Sequence, residues 1–443
     1  VNKIMFISPE EQNAADSAIS EAENAFADMA LVEDEAISRF FNHAENLLSQ
    51  DELWDQICAS NQIDVERALA RGRTVGRLKV DESAREKMIK GLRKWKQLGV
   101  FRNSTLETVK RHKFSVDLIQ APLGVIGFVF EGRPNVVVDA CGVLLSGNTV
   151  VFRIGSDAIG TAKTIIEKVV DPALELAGLP IGAISIVDNT GHGSGWALFS
   201  DPRLGLAVAR GSGEAVQTLG AIARQSGVPV SLHGRGGAWM FVDRDAKHED
   251  IAQTIYRSLD RKVCNTLNTL CILRSELETT IEAIREAAEL ITQDLPKGLS
   301  IRVRRNDEAH LAALDSCASI SRSDLGDSDL GIEWEWDDQP EITIAVLDSL
   351  DEGYQLFNEF SPRFVASLIS NDPKQHQEMF VQLDCPFVGD DLTRWVDGQF
   401  ALGKPELGLS NWENGRLFGR SGILAGDSVY TVRMRYSSHR KSD

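Results

Sequence analysis

Short apolar segments rich in β-branched residues alternate with amphipathic helical patterns from about residue 125 onward, and this alternation constrains the fold more than any other feature. The strand-like segments are, in chain order, GVIGFVF, NTVVFRI, AISIVD, GLAVAR, PVSLHG and WMFVD. Continuous apolar runs of this length are typical of strands buried on both faces of a parallel sheet, with helices as the crossover connections. The sequence therefore predicts an α/β fold built on a doubly wound parallel sheet.

A second series of the same kind begins near residue 260. It comprises the strand-like LNTLCILR, the helical SELETTIEAIREAAELITQDL and the strand-like SIRVRR. An acidic stretch at 321–341 follows, which we interpret as a surface excursion. Because 443 residues are too many for one core of ordinary size, we predict two domains with a boundary near residue 259.

Two stretches outside this alternation also look extended. TVKRHKFSVDLIQAPLGVI at 108–126 has partly alternating polar and apolar residues, which is typical of a hairpin. The tail DSVYTVRMRYSS, which begins at Asp427, is strand-like too. Near the N-terminus, Ser8, Pro9 and Glu11 form the signature of a capped helix start, and several helices are predicted between it and the hairpin.

The composition excludes several classes of function. A formal net charge of -18 and an isoelectric point near 5.0 argue against binding to nucleic acid or an anionic membrane, because such binding needs clustered Lys and Arg. No stretch reaches the roughly 20 apolar residues of a membrane span, and no signal-peptide pattern is seen. The six cysteines lack CxxC or zinc-like spacing. We expect a soluble cytoplasmic protein with reduced thiols and no metal.

Two glycine clusters lie between a predicted strand and a predicted helix: TGHGSGW at 190–196 and ARGSGEAVQTLG at 209–220. Backbone amides at such a turn can bind a phosphate at the start of a helix. Neither cluster has the G-x-G-x-x-G spacing of the dinucleotide fingerprint. The alternative is that the glycines only permit tight turns.

Arg153 and Asn135 are candidate binding residues by position. Arg153 ends an apolar strand, at the edge where open parallel sheets bind nucleotides, and could face a 2′-phosphate. The alternative is a charge that simply ends a strand. The amide of Asn135 could donate to a developing oxyanion, whereas an asparagine beside a proline is also a common turn residue.

The segment RKVCNTLNTLCILRS at 261–275 holds two cysteines in contrasting settings. Cys264 lies in a predicted interdomain loop after Arg261 and Lys262, whose positive charges favour a thiolate. Cys271 lies inside the apolar run TLCIL and is predicted to be an inert core residue, as most free cysteines are. The chain has no G-x-S-x-G nucleophile turn and no prominent carboxylate pair, which lowers the expectation of a hydrolase.

Four segments, in their order and spacing, resemble the gamma-glutamyl phosphate reductase (glutamate-5-semialdehyde dehydrogenase) branch of the aldehyde dehydrogenase superfamily. They are APLGVIGFVFEGRPNVVVDACGVLLSGNTVVFR, RGSGEAV, VCNTLNTL and DSLDEG. The resemblance runs from about Asn61 through DGQFALGKPELGLS. It places the family's nucleophilic cysteine on Cys264, so we expect this residue to be catalytic.

The resemblance implies an aldehyde dehydrogenase-like fold: two doubly wound parallel-sheet domains plus a small β flap used for oligomerisation. The implied domains are a cofactor-binding domain at 1–107 and 127–258, a catalytic domain at 259–426, and oligomerisation strands at 108–126 and 427–443. A homodimer or a higher homo-oligomer is the expected assembly.

The resemblance also implies a role for each site residue. Besides the Cys264 nucleophile, it makes Asn135 the oxyanion donor, and it places Arg133 and Asn265 against the substrate. The implied cofactor-binding residues are Arg153, Gly155, Ser156, Gly211, Ser212, Gly213 and Glu335. Because the strand end lies near the adenosine ribose in this superfamily, Arg153 points to NADPH. No metal is implied.

The chemistry that follows is NADPH-dependent reduction of an acyl phosphate, most simply L-glutamyl 5-phosphate, to the semialdehyde through a cysteine thioester. The kinase that makes the acyl phosphate is an implied partner. Asn268 replaces a family glutamate, and FSPRFVASLIS at 360–370 replaces a Gly-Ser-His-like segment. These departures leave a different acyl phosphate or an acyl thioester open as the substrate.

Two further alternatives are aldehyde oxidation and a non-catalytic scaffold. His233 stands where many oxidising relatives carry the glutamate that activates water, which weakens the oxidative alternative. Retention of Cys264, Asn135 and the glycine turns argues against a scaffold, because nothing structural demands all three.

Overall fold

The computed structural model describes residues 6–73, 75–76, 78–130, 136–325, 330–396, 402–409 and 423–439. The helices are α1 (Pro9–Met29), α2 (Asp34–Leu48), α3 (Asp51–Ala70), α4 (Glu82–Leu98), α5 (Val136–Ala140), α6 (Ile159–Ile165), α7 (Asp171–Ala177), α8 (His192–Phe199), α9 (Gly213–Gln225), α10 (His248–Arg257), α11 (Leu277–Asp294), α12 (Leu350–Phe360) and α13 (Pro373–Gln382). The strands are β1 (Thr105–Lys110), β2 (Phe114–Ala121), β3 (Val125–Phe130), β4 (Thr149–Ile154), β5 (Ile184–Ile186), β6 (Leu204–Arg210), β7 (Val230–His233), β8 (Ala238–Val242), β9 (Leu267–Leu273), β10 (Leu299–Arg304), β11 (Ile320–Leu325), β12 (Glu341–Leu347), β13 (Val365–Ile369), β14 (Phe387–Asp390), β15 (Glu406–Leu409), β16 (Ile423–Ala425) and β17 (Thr431–Ser438).

The chain divides into two compact units. The first comprises residues 1–234, 402–409 and 417–443, and the second comprises residues 235–401 and 410–416. Each unit contains a parallel sheet with helices, which confirms the predicted α/β fold class. Among the described residues, no helix is long and apolar enough to cross a membrane, and no group of three or more His, Cys, Asp or Glu side chains is arranged around a metal position.

The first unit is built on a five-stranded sheet with the order β5-β4-β3-β6-β7, and all of its strand pairs are parallel. β3 and β4 are buried along their whole length, as their continuous apolar sequences predict. The order of the strands reverses between β3 and β6. In open parallel sheets, ligands bind at the carboxyl ends of the strands at such a reversal.

Helices α1 to α4 pack around this sheet and its connections. The predicted start of α1 is confirmed: the Ser8 hydroxyl accepts from the Glu11 amide, and the Glu11 carboxylate accepts from the Ser8 amide. The helical segment between β4 and β5 is interrupted by a π-helical turn at Ile166–Val170. Pro172 follows that turn, and because it has no amide hydrogen, a regular ladder cannot pass through it.

The flap is a separate three-stranded antiparallel sheet with the order β1-β2-β17. Its hairpin ends at Ala121, earlier than the predicted 126, because Val125 and Ile126 already pair with β4 and β6 in the first sheet. The strand predicted in the tail is confirmed as β17, which pairs with β2 along all eight of its residues. The use of this flap for oligomerisation stays a prediction.

The second unit contains a seven-stranded sheet with the order β11-β10-β12-β9-β8-β13-β14, again with every pair parallel. The boundary predicted at 258/259 differs from the structure, where this unit begins at residue 235. β8 hydrogen-bonds to β9 and β13, so it belongs to the second sheet. Its sequence could not reveal this, because WMFVD is as apolar as the strands of the first sheet.

Part of the predicted acidic excursion is also ordered structure. β11 pairs with β10 at the edge of the second sheet, and Leu330 is buried. The indole Nε1 of Trp334 donates to Thr343 Oγ1 of β12 at 2.9 Å. Apolar residues among the carboxylates pack this segment against the sheet. The acidic composition of the stretch led us to predict a surface excursion instead.

Candidate active site

Cys264 lies in the turn that connects α10 to β9, and it is half-buried. Side-chain bonds hold this turn: the Thr266 hydroxyl donates to the Arg261 carbonyl at 2.7 Å and accepts from the Val263 amide at 2.9 Å. The Leu267 amide donates to the Ser258 carbonyl at 3.2 Å. The backbone on both sides of the thiol is therefore fixed by the residues of its own loop.

Two glycines press against the backbone of Cys264. The Gly237 amide donates to the Cys264 carbonyl at 2.7 Å, and Gly237 has a φ of 100°, which favours glycine. At Gly236, an added Cβ would lie 2.8 Å from the Cys264 Cα and 2.6 Å from its carbonyl oxygen. Side chains are thus excluded at both positions, and the segment RGG of the sequence has a local structural reason.

Glu333 forms the second contact of this loop. Its carboxylate accepts from the Gly236 amide at 2.5 Å and pairs with the Lys262 ammonium at 2.5 Å. The Lys262 side chain is 7% exposed and the Glu333 side chain 16%, so the pair is largely removed from water. Glu333 balances the positive charge of Lys262 locally, and the expected influence of Lys262 on the Cys264 thiol stays a prediction.

Asn265 does not have the substrate-contacting side chain that we expected. The side chain is buried, its Nδ2 donates to the Val396 carbonyl, and its Oδ1 accepts from Arg394 Nη1. Arg394 also pairs with Asp260 at 2.8 Å. With donor and acceptor ends both committed, the Asn265 amide anchors the cysteine loop to the 393–396 segment.

Asn268 shows how this chain accommodates the loss of the family's glutamate. Its Nδ2 donates to the Ile332 carbonyl at 2.8 Å, and its Oδ1 accepts from the Trp334 amide at 2.9 Å. A carboxylate could accept the second of these bonds but could not donate the first. Asn268 therefore binds both neighbours of Glu333 in the chain and helps to place that carboxylate beside Gly236.

The second departure, at 360–370, forms a turn and a buried strand. Arg363 has a φ of 50°, and its guanidinium pairs with Asp384 at 2.7 Å and donates to the Asn358 carbonyl. Phe364 and the whole of β13 are buried. The residues of this segment thus have structural contacts within the second unit.

Cys271 is a core residue, as predicted. It is fully buried in β9, and burial raises the pKa of its thiol far above the ordinary value. Burial likewise raises the pKa of Cys385 to about 12. Cys264, in contrast, is only half-buried. The structure therefore separates the two cysteines of one short segment by environment.

In the first unit, the turn at 211–213 occupies the expected place. It connects β6 to α9, with Ser212 as the N-terminal cap residue of that helix. The Gly211 amide donates to the carbonyl of His233, at the end of the neighbouring strand β7. Gly211, Ser212 and Gly213 thus lie at the carboxyl edge of the sheet, beside the reversal of strand order.

Arg153 is more buried than a ligand-facing strand end would be. It is 8% exposed, and its Nη2 donates to the carbonyls of Thr190 and Gly191 at 2.7 and 3.0 Å. Its Nε is buried and finds no acceptor among the described residues. Arg153 therefore fixes the 190–191 turn, and its Nε is a donor that this turn does not use.

The glycine cluster at 190–196 already holds an internal anion. The Glu11 carboxylate accepts from the Gly193 amide, at the N-terminus of α8, at 3.0 Å. Its hydrogen bonds with Ser8 and Gly193, and the positive charge of Arg153, lower the pKa of Glu11 despite opposing desolvation. Two interpretations were left open for this cluster, a phosphate-binding turn and a turn that is only tight. The structure fits a tight turn whose amide binds the Glu11 carboxylate.

Gly155 and Ser156 follow β4 in the turn that leads to α6, where the Ala158 amide donates to the Gly155 carbonyl. Glu335 belongs to the second unit; its side chain is 73% exposed and lies 3.7 Å from Lys262. Asn135 and Arg133, the predicted oxyanion donor and substrate contact, lie outside the described residues.

Sequence reasoning missed Glu333, Arg394 and Gly236. Glu333 is separated from Lys262 by 71 residues, and Arg394 from Asn265 by 129. Nothing in the local pattern of either segment announces such a partner.

Comparison with known proteins identifies the family. The model of the aldehyde dehydrogenase family matches residues 2–301, which is more than half of the chain. The chain belongs to the aldehyde dehydrogenase family. Cys264 and the turn at 211–213 both lie inside the matched region of the chain.

The curated relatives align with this chain over most of its length. The chain is 27% identical over 367 residues to the gamma-glutamyl phosphate reductase of Bacillus cereus, covering 80% of this chain and 82% of that protein. It is 29% identical over 366 residues to the enzyme of the same name from Ligilactobacillus salivarius, covering 80% and 83%.

Solved structures agree on the aldehyde dehydrogenase fold. The crystal structure of gamma-glutamyl phosphate reductase from Thermotoga maritima matches with a TM-score of 0.82 at 21% identity, covering 97% of this chain and all of that one. An engineered glycolyl-CoA reductase with bound NADP+ matches with a TM-score of 0.64 at 14% identity, covering 96% of each chain. At these identities the likeness concerns the fold.

Proposed function

We propose that this chain reduces an acyl phosphate, most simply L-glutamyl 5-phosphate, to the semialdehyde through a thioester on Cys264, with NADPH as reductant. The observation that carries the proposal is the turn before β9, where the Gly237 amide donates to the carbonyl of half-buried Cys264. Thr266 closes this turn, and Glu333 binds the adjoining Gly236 amide and Lys262 ammonium. The relatives from Bacillus cereus and Ligilactobacillus salivarius, which are named for gamma-glutamyl phosphate, support this substrate.

The chain's own residues supply the nucleophile and its positioning. The Cys264 sulfur attacks the acyl carbon, the carbonyl electrons move to oxygen, and their return expels phosphate and leaves a thioester. Phosphate is a good leaving group, so the step needs no strong general acid. Asn135 is proposed as a hydrogen-bond donor to the oxyanion. After reduction of the thioester carbonyl, collapse of the tetrahedral species returns the thiolate and releases the aldehyde.

The first unit has groups that fit a nicotinamide dinucleotide. The Gly211–Gly213 turn starts α9 at the reversal of strand order, and Arg153 has a buried Nε with donor capacity. These residues, with Gly155 and Ser156, would hold the dinucleotide. The chemistry that NADPH supplies when bound is a hydride for the thioester carbonyl. Glu335 is proposed as a further cofactor contact.

Aldehyde oxidation with water is the competing function. It requires a general base that activates water for hydrolysis of the thioester, and His233 occupies the position of the glutamate that oxidising relatives use. Glu333 is no substitute, because its carboxylate is committed to Lys262 and the Gly236 amide. We therefore favour transfer of the acyl group between Cys264 and phosphate.

The reverse reaction provides the direct test. Glutamate 5-semialdehyde and NADP+ are mixed with the protein, and NADPH formation is followed by absorbance with phosphate, with coenzyme A, or with neither as acyl acceptor. We expect sustained turnover only with phosphate, and none in Cys264→Ser. Turnover with coenzyme A or with water alone would assign a different acyl acceptor, and no turnover with any acceptor would refute the proposal.

We further propose a cytoplasmic homodimer or higher homo-oligomer that assembles through the flap and receives its acyl phosphate from a kinase. The support for assembly is the flap itself, because β1 and β17 each have an outer edge that no described strand covers. Such edges are usually paired or protected in soluble proteins.

A further inference from the structure

Three arginines converge on the turn after β4. Arg67, Arg71 and Arg73, here called the arginine cluster, come from the end of α3 and the residues just after it. Arg71 Nη1 donates to the Ser156 hydroxyl at 3.2 Å and to the Asp157 carboxylate at 3.3 Å. Arg73 pairs with the other oxygen of Asp157, and Arg67 donates to the Ser156 carbonyl at 3.4 Å.

The arginine cluster has more positive charge than its carboxylate partners balance. Arg67 pairs with Asp64, which is fully buried and already accepts from the amide and hydroxyl of Thr161 at 2.7 and 2.8 Å. Asp157 alone is shared by the other two arginines. Three guanidinium groups thus face two carboxylates. The side chains of the cluster are 40, 46 and 54% exposed, so their remaining donors are open to solvent.

The position of this charge matters as much as its size. Ser156 follows the carboxyl end of β4, which lies next to β3 in the first sheet, and this is the edge where parallel sheets bind nucleotides. Arg153, the arginine that the sequence suggested for a phosphate, is turned into the 190–191 backbone. Planar guanidinium groups beside a hydroxyl are the donors best suited to a phosphate monoester.

We propose that the arginine cluster and the Ser156 hydroxyl bind the 2′-phosphate of NADPH and so determine the preference for NADPH over NADH. This inference rests on the proposed function, in which NADPH is the reductant. Asp157 holds Arg71 and Arg73 together over the serine in the absence of ligand. A phosphate dianion competes with this single carboxylate and can accept from both guanidinium groups and from the hydroxyl at the same time.

A purely structural role for the same residues makes a different prediction. If the cluster only ties α3 to the turn after β4, its loss should lower the melting temperature and weaken NADPH and NADH binding equally. If the cluster binds the 2′-phosphate, loss of the guanidinium groups should weaken the binding only of ligands that carry this phosphate. The discriminating quantity is therefore the ratio of the two dissociation constants.

The experiment measures dissociation constants by calorimetry for NADPH, NADH, adenosine 2′,5′-bisphosphate and adenosine 5′-monophosphate. Arg71→Gln/Arg73→Gln should weaken NADPH and the bisphosphate by about 10- to 100-fold, the range for losing charge-assisted hydrogen bonds, and leave NADH and the monophosphate unchanged. Arg93→Gln is the matched control, because Arg93 is an exposed arginine of the same unit that pairs with Glu45 at 2.6 Å. It should change none of the four constants.

Ser156→Ala provides a second, milder variant should the double substitution fail to fold; we expect a smaller loss with the same ligand selectivity. Tight wild-type binding of NADPH that neither variant weakens, or equal weakening of NADPH and NADH, would overturn the assignment of the cluster and leave the proposed function standing. Wild-type protein that binds neither dinucleotide would refute the proposed function and the cluster's assignment together.

Discussion

At the scale of single residues, the contrast between Cys264 and Cys271 is the most direct test of the site. Iodoacetamide should label half-buried Cys264 and spare Cys271, because burial raises the pKa of the latter thiol and removes it from the reagent. Peptide mass analysis after brief labelling measures this. Cys264→Ala should still fold and bind NADPH but lose turnover; full activity in this variant, or faster labelling of Cys271, contradicts the mechanism.

The Lys262–Glu333 pair makes a prediction about stability. Glu333→Ala leaves a 7% exposed ammonium with only the exposed Glu335 carboxylate, 3.7 Å away, and leaves the Gly236 amide without its acceptor, so we expect the free energy of unfolding to fall by about 3 kcal/mol. Urea unfolding measures the change. Glu378→Ala, which breaks the exposed pair with Lys374, is the control and should cost less than about 0.5 kcal/mol. Equal effects would show that the pair has no special role.

Asp171 makes the stability of the first unit depend on pH. Partial burial and the nearby charges of Glu167 and Glu21 raise its pKa to about 6, above the value near 4 of an unfolded aspartate. The fold thus favours the protonated form, and stability falls as pH rises from about 4 through 6. Asp171→Asn should raise the melting temperature at pH 7.5 and have little effect at pH 4.

The exposed residue Glu175, in the same helix, supplies the control for this titration. Glu175→Gln removes a carboxylate from the exposed side of α7 and should change the melting temperature little at pH 7.5. An Asp171→Asn variant that gains nothing at pH 7.5 would show that the aspartate is ionised in the fold without cost.

Prediction from sequence succeeded for residues whose role is set by their neighbours in the chain. Cys271 was identified as core by the apolar run around it, and the start of α1 by Ser8 and Glu11. It failed for Asn265, because the partners that occupy its amide, Arg394 and the Val396 carbonyl, lie about 130 residues away. A local pattern carries no information about such contacts.

At the scale of secondary-structure elements, the flap carries the prediction on assembly. Val432, Met434 and Tyr436 alternate along β17 and are 44, 78 and 63% exposed, which is unusual for apolar side chains on one face of a strand. We expect a second copy of the chain to cover this face. Light scattering should therefore give a mass of at least twice 48.7 kDa for the wild-type protein.

Val432→Lys/Met434→Lys should reduce that mass to one chain, because burying two ammonium groups against a partner is unfavourable. Arg433→Gln, whose position points to the opposite face of the same strand, is the control and should stay oligomeric. A wild-type protein that is monomeric at micromolar concentration removes this prediction.

At the scale of the whole molecule, the alternation of strands and helices was sufficient to predict two parallel sheets but not how the chain is divided between them. The central strands of both sheets are continuously apolar, as β3 and β8 show, so β8 could be assigned only from its hydrogen bonds to β9 and β13. Residues 402–409 and 417–443 belong to the first unit, and the sequence did not predict this either, because it depends on tertiary contacts. Sequence periodicity identifies strands, whereas pairing depends on the tertiary fold.

The pairing of β17 with β2 has a consequence for synthesis on the ribosome. β2 pairs with β1 within one hairpin, but its other edge pairs with Thr431–Ser438, near the end of the chain. The whole second unit is translated between these two strands. The nascent chain therefore carries an open strand edge at Phe114–Ala121 for most of its elongation, and any chain that stops early keeps it. Protection of that edge during translation, by a chaperone or by the ribosome itself, is a demand that this order of elements places on the cell.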